Sequence, residues 1–534
     1  MTVSIAYYGS RPTPSSKEEA VSLLHELTSQ AKIVAIDVET INLRYRIAIG
    51  LSIATSPQDA FYFSCFPDNS PYIPLDILAN PDITKVFHNC LFDIPALKYF
   101  IVDTTNITDT AVIARLLNLP GRLTELSRQI LGLEAPSIAD RLKPSETMLD
   151  LADDIVAKGC CIHAQATLAL YYAMIDKVDK EYLKVEMDLI PILLKMSKRG
   201  IKIDQQLRAK IEEELKAGVA FYTSLASGLG FNPASPKQSA FILAKRGTFL
   251  PFTWSKKSLS TSESILNKLD DPLAGLILNF RHSNKLLGTY IKPMADEERA
   301  YCRFHTDAIT GRITSAERNM QNIPPGRTRN IFLPDSGCFT DLDFSQIELR
   351  ILAYLSQDRV MQHIFDTNGD IHQETANFMQ IDRRIAKNVN FALIYGATPE
   401  TIMETAGITN LSKAKQLLAL WFEQYREAGL WIARQQQDAL RNRYIKTMYN
   451  RVIRLPLPDE EDDGAVARKA INYPIQASAA EIVKRAMIKC KDLPLVLQIH
   501  DELLIDGKVE LPVGLDSIAP LRTPYSVKYL ERWE

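Results

Sequence analysis

The sequence predicts an α/β protein built from several domains. Short apolar runs of strand-like composition crowd the first hundred residues, and a second set lies far downstream, at Phe339–Asp343 and Leu493–Asp506. Helical periodicity dominates between these two sets. With 534 residues, the chain is long enough for more than one hydrophobic core.

The elements follow one another in a definite order. Strands predominate from Ile33 to Phe100 and the pattern turns helical after Asp109, which predicts one mixed α/β domain over residues 1–178. Long helices fill most of the stretch up to residue 300. A loop-and-strand region then leads into a helix at Ile347, further helices follow, and two apolar strands come near the end. One layer of strands is therefore interrupted by a large helical insertion.

Composition restricts the protein class. The hydrophobic fraction of 46% and the charged fraction of 24% are ordinary for a globular protein, and no apolar run is long enough to span a bilayer. The N-terminus lacks the features of a signal peptide, and the seven cysteines have no metal-binding spacing. We expect a cytoplasmic monomer with reduced thiols. The net charge of −2 does not by itself indicate a nucleic-acid partner, although local basic surfaces still allow one.

Acidic residues stand at the ends of the downstream strands. Asp343 lies where a strand meets a helix, and Asp501 and Glu502 lie at the tip between two apolar runs. A turn alone would explain acids at the tip. Buried acids at two strand ends are better explained by two Mg²⁺ ions that support phosphoryl displacement. Asp341 points to the same side of its strand as Asp343, and its role stays open.

Glu348 has two interpretations. Ser345 and Glu348 have the S-x-x-E spacing of a capping box at a helix start, which would explain both residues without any functional role.

A basic helix is predicted over Asp382–Gly396. Asp382 is placed to cap it and Gly396 to end it. Solvated charges are the simpler interpretation of its cations. However, Arg383 and Lys387 lie near the N-terminus, where the helix dipole disfavours cations, which indicates a bound anion such as a triphosphate. Phe391 and Tyr395 on the same face would offer a flat surface to a base.

One polar segment is a candidate for contact with a nucleic-acid duplex. Residues 310–330 are rich in Arg, Asn and Gln, and the candidate contact residues are Arg312, Arg318, Asn319, Gln321 and Asn322. A polar surface loop is the simpler interpretation of this segment taken alone. A second polar set, Arg468, Asn472 and Gln476, is spaced by four residues around Pro474, which predicts one polar face on a kinked helix.

The N-terminal domain holds a second acidic set. Asp37 and Glu39 alternate at a strand end and so face the same side, and Asp93 lies at a helix start. Placement at a helix start would explain Asp93 alone. Three acids at element ends predict a second two-metal site, suited to phosphodiester hydrolysis.

These segments resemble a known family. DFSQIELR, RRIAKNVNFALIYG and QIHDELL look like the three polymerase motifs of the A-family DNA polymerases, the bacterial DNA polymerase I group. TGRITSAERNMQNIP and INYPIQASAAE resemble further motifs of that family, in the same order. DVET and HNCLFD resemble the first two motifs of its 3′→5′ exonuclease. The compact arrangement is similar to a phage-type replicative enzyme, which implies a role in DNA replication.

The resemblance implies a right-hand polymerase behind an RNase H-like exonuclease domain. Its expected divisions are the exonuclease-like domain (1–178), thumb (179–300), first part of the palm (301–357), fingers (358–464) and second part of the palm (465–534). Its expected partners are primer–template DNA, deoxynucleoside triphosphates and two Mg²⁺ ions in each active site. Replisome proteins are not identified by the sequence.

The resemblance also implies roles for single residues. Asp343 and Asp501 would bind the catalytic Mg²⁺ ions with Glu502 beside them, and Lys387 would protonate the leaving pyrophosphate. The nucleotide would meet Arg383, Lys387, Phe391, Tyr395, Glu348 and His500, with Glu348 excluding a ribose 2′-hydroxyl. Primer–template DNA would meet Arg312, Asn319, Gln321, Asn322, Arg468, Asn472 and Gln476. The exonuclease metals would be held by Asp37, Glu39 and Asp93.

One departure concerns the third exonuclease motif, which is Tyr-x-x-x-Asp in the family. Alignment places Gly159 and His163 at those two positions, whereas a literal match occurs later, at Tyr172–Asp176. If His163 is the equivalent residue, we expect exonuclease activity that is slow, lost or dependent on another metal. An inactive domain that only keeps the exonuclease fold is the alternative.

Two other functions remain open. A nuclease of ribonuclease D type would trim 3′ ends without Asp501, and a DNA-binding scaffold would show neither synthesis nor degradation. The acids at both sites argue against a scaffold, because they repel phosphate unless a metal is bound.

Overall fold

The structure is a computed structural model that describes residues 5–42, 46–65, 73–253, 258–408 and 410–534. Within these ranges no helix is both long enough and apolar enough to cross a membrane.

A mixed sheet forms the core of the N-terminal unit. Its strand order is β1-β4-β3-β2-β5-β6, and β2 pairs antiparallel with β3 and parallel with β5. The strands are β1 (Ile5–Tyr8), β2 (Ile33–Thr40), β3 (Ala48–Ala54), β4 (Ala60–Ser64), β5 (Thr84–Phe87) and β6 (Ile107–Asp109). The predicted α/β character of this unit is confirmed.

Helices surround this sheet. They are α1 (Lys17–Ala31), α2 (Leu75–Leu78), α3 (Cys90–Ala96), α4 (Thr110–Leu116), α5 (Leu123–Leu131) and α6 (Asp153–Met174). One face of α6 packs on the sheet through Cys160, Cys161, Ala164 and Leu168, which are fully buried. This packing places the middle of α6 against the end of β2.

The middle of the chain is mostly helical. Its helices are α7 (Lys180–Arg199), α8 (Gln205–Gly228), α9 (Pro236–Lys245), α10 (Glu263–Leu266) and α11 (Pro272–Lys285). Short strands accompany them: β7 (Ile201–Ile203), β8 (Phe252–Thr253), β9 (Ser258–Leu259), β10 (Arg299–Ala300), β11 (Arg303–His305), β12 (Thr314–Ala316) and β13 (Phe332–Leu333). β7 joins β10 and β13 in one sheet and so connects the helical region to the strands that follow.

The second main sheet has the order β17-β18-β14-β19, with every pair antiparallel. Its strands are β14 (Phe339–Phe344), β17 (Leu495–Ile499), β18 (Glu502–Asp506) and β19 (Tyr525–Leu530). The predicted strand layer is confirmed: β14 comes before the large helical segment, and the other three strands come after it.

Helices and one hairpin lie between these strands. The helices are α12 (Ile347–Ser356), α13 (Arg359–Asp366), α14 (Ile371–Met379), α15 (Arg383–Ile394), α16 (Pro399–Ala406), α17 (Leu411–Gln424), α18 (Arg426–Asn442) and α19 (Asp463–Lys489). β15 (Tyr444–Lys446) and β16 (Val452–Arg454) form the hairpin.

A buried ionic cluster joins the N-terminal unit to the rest of the chain. Glu186 on α7 accepts hydrogen bonds from Lys484 on α19 at 2.7 and 2.9 Å and lies 2.8 Å from Arg115 on α4. Burial alone would raise the pKa of Glu186, but Arg115 and Lys484 lower it to about 2. Glu186 therefore holds three parts of the chain together through charge.

The cluster continues around Glu481 on α19. Tyr182 and Thr447 donate hydrogen bonds to its carboxylate at 3.2 and 3.1 Å, and Arg451 lies 3.7 Å away. Arg451 in turn donates to the Ile309 carbonyl at 2.7 Å. The cluster thus reaches the loop that precedes Arg312.

We predict that Glu186→Gln lowers the free energy of unfolding by about 3–5 kcal/mol at pH 7, because two buried cations lose their carboxylate. The depressed pKa means that this stabilisation is present above about pH 4.5 and is lost as the pH falls toward 2. The difference in the free energy of unfolding between the wild type and Glu186→Gln should therefore decrease at acid pH. Chemical denaturation at several pH values measures it. Glu181→Gln is the matched control, since Glu181 is on the same helix but 77% exposed. Equal losses for both variants would contradict the prediction.

Candidate nucleotide and metal sites

Strand pairing brings the downstream acids together. Asp343 on β14 lies directly opposite Glu502 on β18, and Ile499 pairs with Glu502 across a two-residue turn. His500 adopts a left-handed conformation in that turn, with φ 54°, and the Phe344 N–H donates to the Asp501 carbonyl at 3.1 Å. The predicted hairpin is confirmed, and its tip meets the end of the strand that carries Asp343.

The carboxylates are partly removed from water. Burial raises the pKa of Asp343, and burial together with Asp343 raises the pKa of Asp501 to about 7. Burial and the nearby Asp341 likewise raise the pKa of Glu502 to about 7. The ionised carboxylates repel one another unless a cation is bound between them. Carboxylate oxygens are the ligands that hard divalent cations prefer. The donor set therefore fits a divalent metal.

Three further residues adjoin these acids and were not singled out by the sequence analysis. The Trp533 indole N–H donates to Glu502 at 3.3 Å, and the Arg329 guanidinium lies 3.9 Å from the Glu502 carboxylate. Lys528 on β19 is paired with Asp341 on β14, so the lysine is the cation next to that carboxylate. Nothing in their local sequence indicates this placement, because it depends on how the last strand and the C-terminus pack.

The capping-box interpretation of Glu348 is wrong. Gln346 caps α12 in a left-handed conformation, with φ 55° and no side-chain cap hydrogen bond. Glu348 instead accepts hydrogen bonds from Arg312 at 2.8 Å and from the Tyr395 hydroxyl at 3.3 Å. Tertiary contacts with two distant segments therefore replace the local cap.

A cavity of about 230 Å³ joins these features. Its lining includes four of the six side chains that were expected to meet the nucleotide, one expected to meet DNA and one expected to bind metal, namely Glu348, Phe391, Tyr395 and His500, then Arg312, then Asp501. Burial raises the pKa of Glu348, although the nearby Arg312 opposes that rise. The cavity thus has an acidic wall, an aromatic wall and one cation.

α15 supplies the aromatic wall. Asp382 caps it by accepting from the Arg384 N–H at 2.8 Å, and Gly396 follows its end with φ 67°, as predicted. Arg383 pairs with Asp370 at 2.6 Å. One of the two cations from which the sequence analysis inferred a bound anion is therefore already paired with a carboxylate. Lys387 is exposed on the same helix, and after Lys528 it is the second cation that opposes the rise of the Asp343 pKa caused by burial.

A buried polar network holds α15 in place. Asn390 is fully buried, donates to the His372 ring at 3.0 Å and accepts from the Trp421 indole N–H at 2.8 Å. These contacts tie α15 to α14 and α17. At its other end, a side chain at Gly396 would lie 3.1 Å from Arg468, so α15 closely approaches α19.

The candidate duplex-contact residues differ in their availability. Gln321 donates to the Ile313 carbonyl at 3.1 Å and to Gln498 at 3.0 and 3.1 Å, so its amide is used inside the fold. Arg318 pairs with Glu297. Asn319, Asn322 and Arg468 are exposed, Arg312 is half-buried, and Asn472 and Gln476 are half-buried on α19.

The N-terminal acids line a second and larger cavity, of about 1360 Å³. Asp37, Glu39, Asp93 and His163 all contribute to it. Asp93 is 5% exposed, and burial together with the Asp37 carboxylate raises its pKa well above the usual value. The predicted acidic site is therefore brought together by the fold.

The structure places His163, and not Asp176, at this site. His163 Nδ1 lies 3.6 Å from Asp37 Oδ2 and 3.5 Å from Glu39 Oε1. The Asp176 side chain is 91% exposed and pairs with Lys180. Burial alone lowers the pKa of His163, but the two carboxylates raise it well above its usual value.

Other residues of this cavity were missed by the sequence analysis. Asp109 accepts from the backbone N–H groups of Asn89 and Cys90 and caps α4, so its carboxylate is held at the site. The position of Asp109 at the end of a strand was a sequence signal that could have identified it as a residue of this site. His305, Asp307 and Arg454 reach the cavity from the C-terminal part of the chain, which no local pattern indicates.

Comparison with known families matches two parts of the chain. A model of DNA polymerase family A matches residues 202–511, which is more than half of the chain, and a 3′-5′ exonuclease model matches residues 12–144. The chain belongs to DNA polymerase family A. The expected combination of an N-terminal exonuclease domain with an A-family polymerase domain is confirmed.

Two bacterial proteins illustrate the similarity of this family A chain to curated relatives. The DNA polymerase I of Synechocystis sp. is 29% identical over 94% of this chain and 58% of its own length. The thermostable DNA polymerase I of Thermus aquaticus is 30% identical over 65% of this chain and 47% of its own length. The chain thus spans about half the length of the curated relatives it matches.

A solved structure shares the fold. It is the POL domain of Pol1 from M. smegmatis in complex with DNA primer-template and dNTP. The match has a TM-score of 0.81 at 24% identity and covers 96% of this chain and 98% of that chain.

Proposed function

We propose that this chain is a DNA-directed DNA polymerase that extends a primer on a DNA template and carries a 3′→5′ exonuclease domain. The observation that carries the proposal is the cavity in which Glu348, Tyr395 and Asp501 meet, beside Asp343. A role in DNA replication follows from such an activity. Primer–template DNA and deoxynucleoside triphosphates are the corresponding partners.

The proposed divisions follow the two sheets. Residues 1–178 form the exonuclease domain and 179–300 the thumb. The palm consists of residues 301–357 and 465–534, which is supported by the pairing of β14 with strands that come much later in the chain. The fingers are then residues 358–464, which include α15.

Each polymerase-site residue has a proposed task. Asp343 and Asp501 hold two Mg²⁺ ions, with Glu502 kept beside them by Trp533 and Arg329. When bound, such cations neutralise the phosphate charge and orient the attacking primer hydroxyl. Lys387 on the exposed face of α15 holds the triphosphate and donates a proton to the leaving pyrophosphate.

Other residues shape the nucleotide and DNA sites. Arg383 steadies the triphosphate once released from Asp370, and Phe391 and Tyr395 contact the sugar and base. His500 lies toward the primer end. The primer–template duplex meets the polar residues Arg312, Asn319, Asn322, Arg468, Asn472 and Gln476. Gln321 acts indirectly, by holding the strand of Gln498 in place.

We predict that Asp343→Ala and Asp501→Ala each slow primer extension about a thousandfold or more. The physical reason is the loss of a metal ligand whose charge stabilisation is worth about 4 kcal/mol in the transition state. Single-turnover incorporation of one nucleotide with Mg²⁺ measures the effect. Asp341→Asn, on the same side of the same strand, is the matched comparison. Normal extension by Asp343→Ala, with loss only in Asp341→Asn, would contradict the assignment.

We predict that Glu348→Ala weakens discrimination against ribonucleotides by about 100-fold, because the cavity loses the side chain that occupies the space of a 2′-hydroxyl. The ratio of kcat/KM for a deoxynucleotide to that for the matching ribonucleotide measures this. Glu374→Ala, an exposed acid on α14, is the control and should leave the ratio unchanged. A Glu348→Ala ratio equal to that of the wild type would exclude this role.

A further inference from the structure

The end of β2 presents two carboxylates to the middle of α6. Asp37 and Glu39 are two residues apart on β2, so both point toward the helix that carries His163. One oxygen of each carboxylate and one ring nitrogen of His163 lie within 4.8 Å of one another. The three side chains come from a strand and a helix that pack rigidly together.

His163 is oriented as a metal ligand. Its Nε2 lies 3.0 Å from the Pro136 carbonyl oxygen, which can only accept, so Nε2 carries a proton whether the ring is neutral or charged. Nδ1 is then the nitrogen that faces the carboxylates. A backbone carbonyl that binds the far N–H of an imidazole is the usual support for a metal-binding histidine, because it fixes the ring and its tautomer.

The distances are too long for direct hydrogen bonds. His163 Nδ1 is 3.6 Å from Asp37 Oδ2 and 3.5 Å from Glu39 Oε1, whereas charge-assisted bonds measure about 2.7–2.9 Å. Asp37 Oδ2 is buried without a hydrogen-bond partner. An unpartnered carboxylate oxygen and a ring nitrogen therefore face one another across a gap.

The size of the gap suits a particular class of cation. Ligands held at 2.0–2.1 Å around a tetrahedral metal lie about 3.4 Å apart, close to the two separations seen here. Neighbouring ligands of an octahedral Mg²⁺ lie only about 2.9 Å apart. Imidazole also suits Zn²⁺ and related metals, whereas Mg²⁺ prefers oxygen ligands throughout.

We propose that Asp37, Glu39 and His163 form a binding site for one divalent transition-metal ion of the Zn²⁺ class, in preference to Mg²⁺. The proposal adds a metal preference to the proposed exonuclease function. Metal binding at this site does not depend on that function, and only the catalytic use of the metal rests on it. His163 is thus the residue that sets metal identity in the N-terminal domain. Asp93 lines the same cavity and is not part of this set of three ligands.

Metal binding tests the proposal directly on the full chain. The background is Asp343→Ala/Asp501→Ala, which removes the two proposed metal-binding aspartates of the polymerase site. Equilibrium dialysis with Zn²⁺ or Mg²⁺ under reducing conditions measures affinity and stoichiometry. The visible absorption of Co²⁺, used in place of Zn²⁺, reports the coordination geometry. We expect one tight Zn²⁺ site, much weaker Mg²⁺ binding, and a four-coordinate Co²⁺ spectrum.

Variants assign the binding to the three residues. His163→Ala in that background should weaken Zn²⁺ binding by about 100-fold, and His163→Asp should shift the preference toward Mg²⁺. Asp176→Ala is the matched control and should bind like the background, since its carboxylate is exposed. His163→Gln, with circular dichroism to verify folding, replaces His163→Ala if the latter does not fold.

Several results would overturn the proposal. Unchanged Zn²⁺ affinity in folded His163→Ala or His163→Gln would do so, as would equal affinities for Mg²⁺ and Zn²⁺ in the background protein. If the background protein binds neither metal in equilibrium dialysis, the proposal is wrong, and a protonated His163 neutralises the two acids instead. Degradation of single-stranded DNA is assayed separately with each metal. Tight Zn²⁺ binding without degradation would leave the metal site standing and refute the exonuclease function.

Discussion

The pairing of β14 with β18 is the contact on which the proposed polymerase site depends. It sets Asp343 opposite Glu502 and places the Asp501 turn at the strand end. These acids repel one another, and burial raises the pKa of Asp501 to about 7. A flexible loop would let them separate, but the backbone hydrogen bonds of a sheet do not. The rigid sheet edge thus keeps these carboxylates close together, where a bound cation can neutralise them.

Glu186 and its cationic partners extend this constraint across the chain. A side chain at Gly311 would lie 2.7 Å from Arg451, 3.5 Å from Lys484 and 3.6 Å from Arg115, so the loop passes directly over the buried cations. The next residue, Arg312, binds Glu348 in the cavity that Asp501 also lines. The same loop begins near residues that line the N-terminal cavity. One segment therefore contacts both candidate sites and the junction between them.

Local patterns succeeded where the physical cause was itself local. Short runs of strand-like composition located β2 and β14, and the Asp382 cap and Gly396 located both ends of α15. They failed where a distant partner decided the outcome. Glu348 has the spacing of a capping residue but binds Arg312 and Tyr395, and Gln321 resembles a surface side chain but is bonded to Gln498. A local signal carries no information about such partners.

The sequence by itself determined the family motifs, the positions of the acids at strand ends and the order of the two α/β units. Each of these depends on short-range periodicity or on a contiguous run of residues. Only the tertiary structure decided between His163 and Asp176, because α6 packs on β2 and carries His163 to the acids while Asp176 stays in solvent. The tertiary structure also decided the partners of Glu502, since Arg329 and Trp533 reach it through long-range packing.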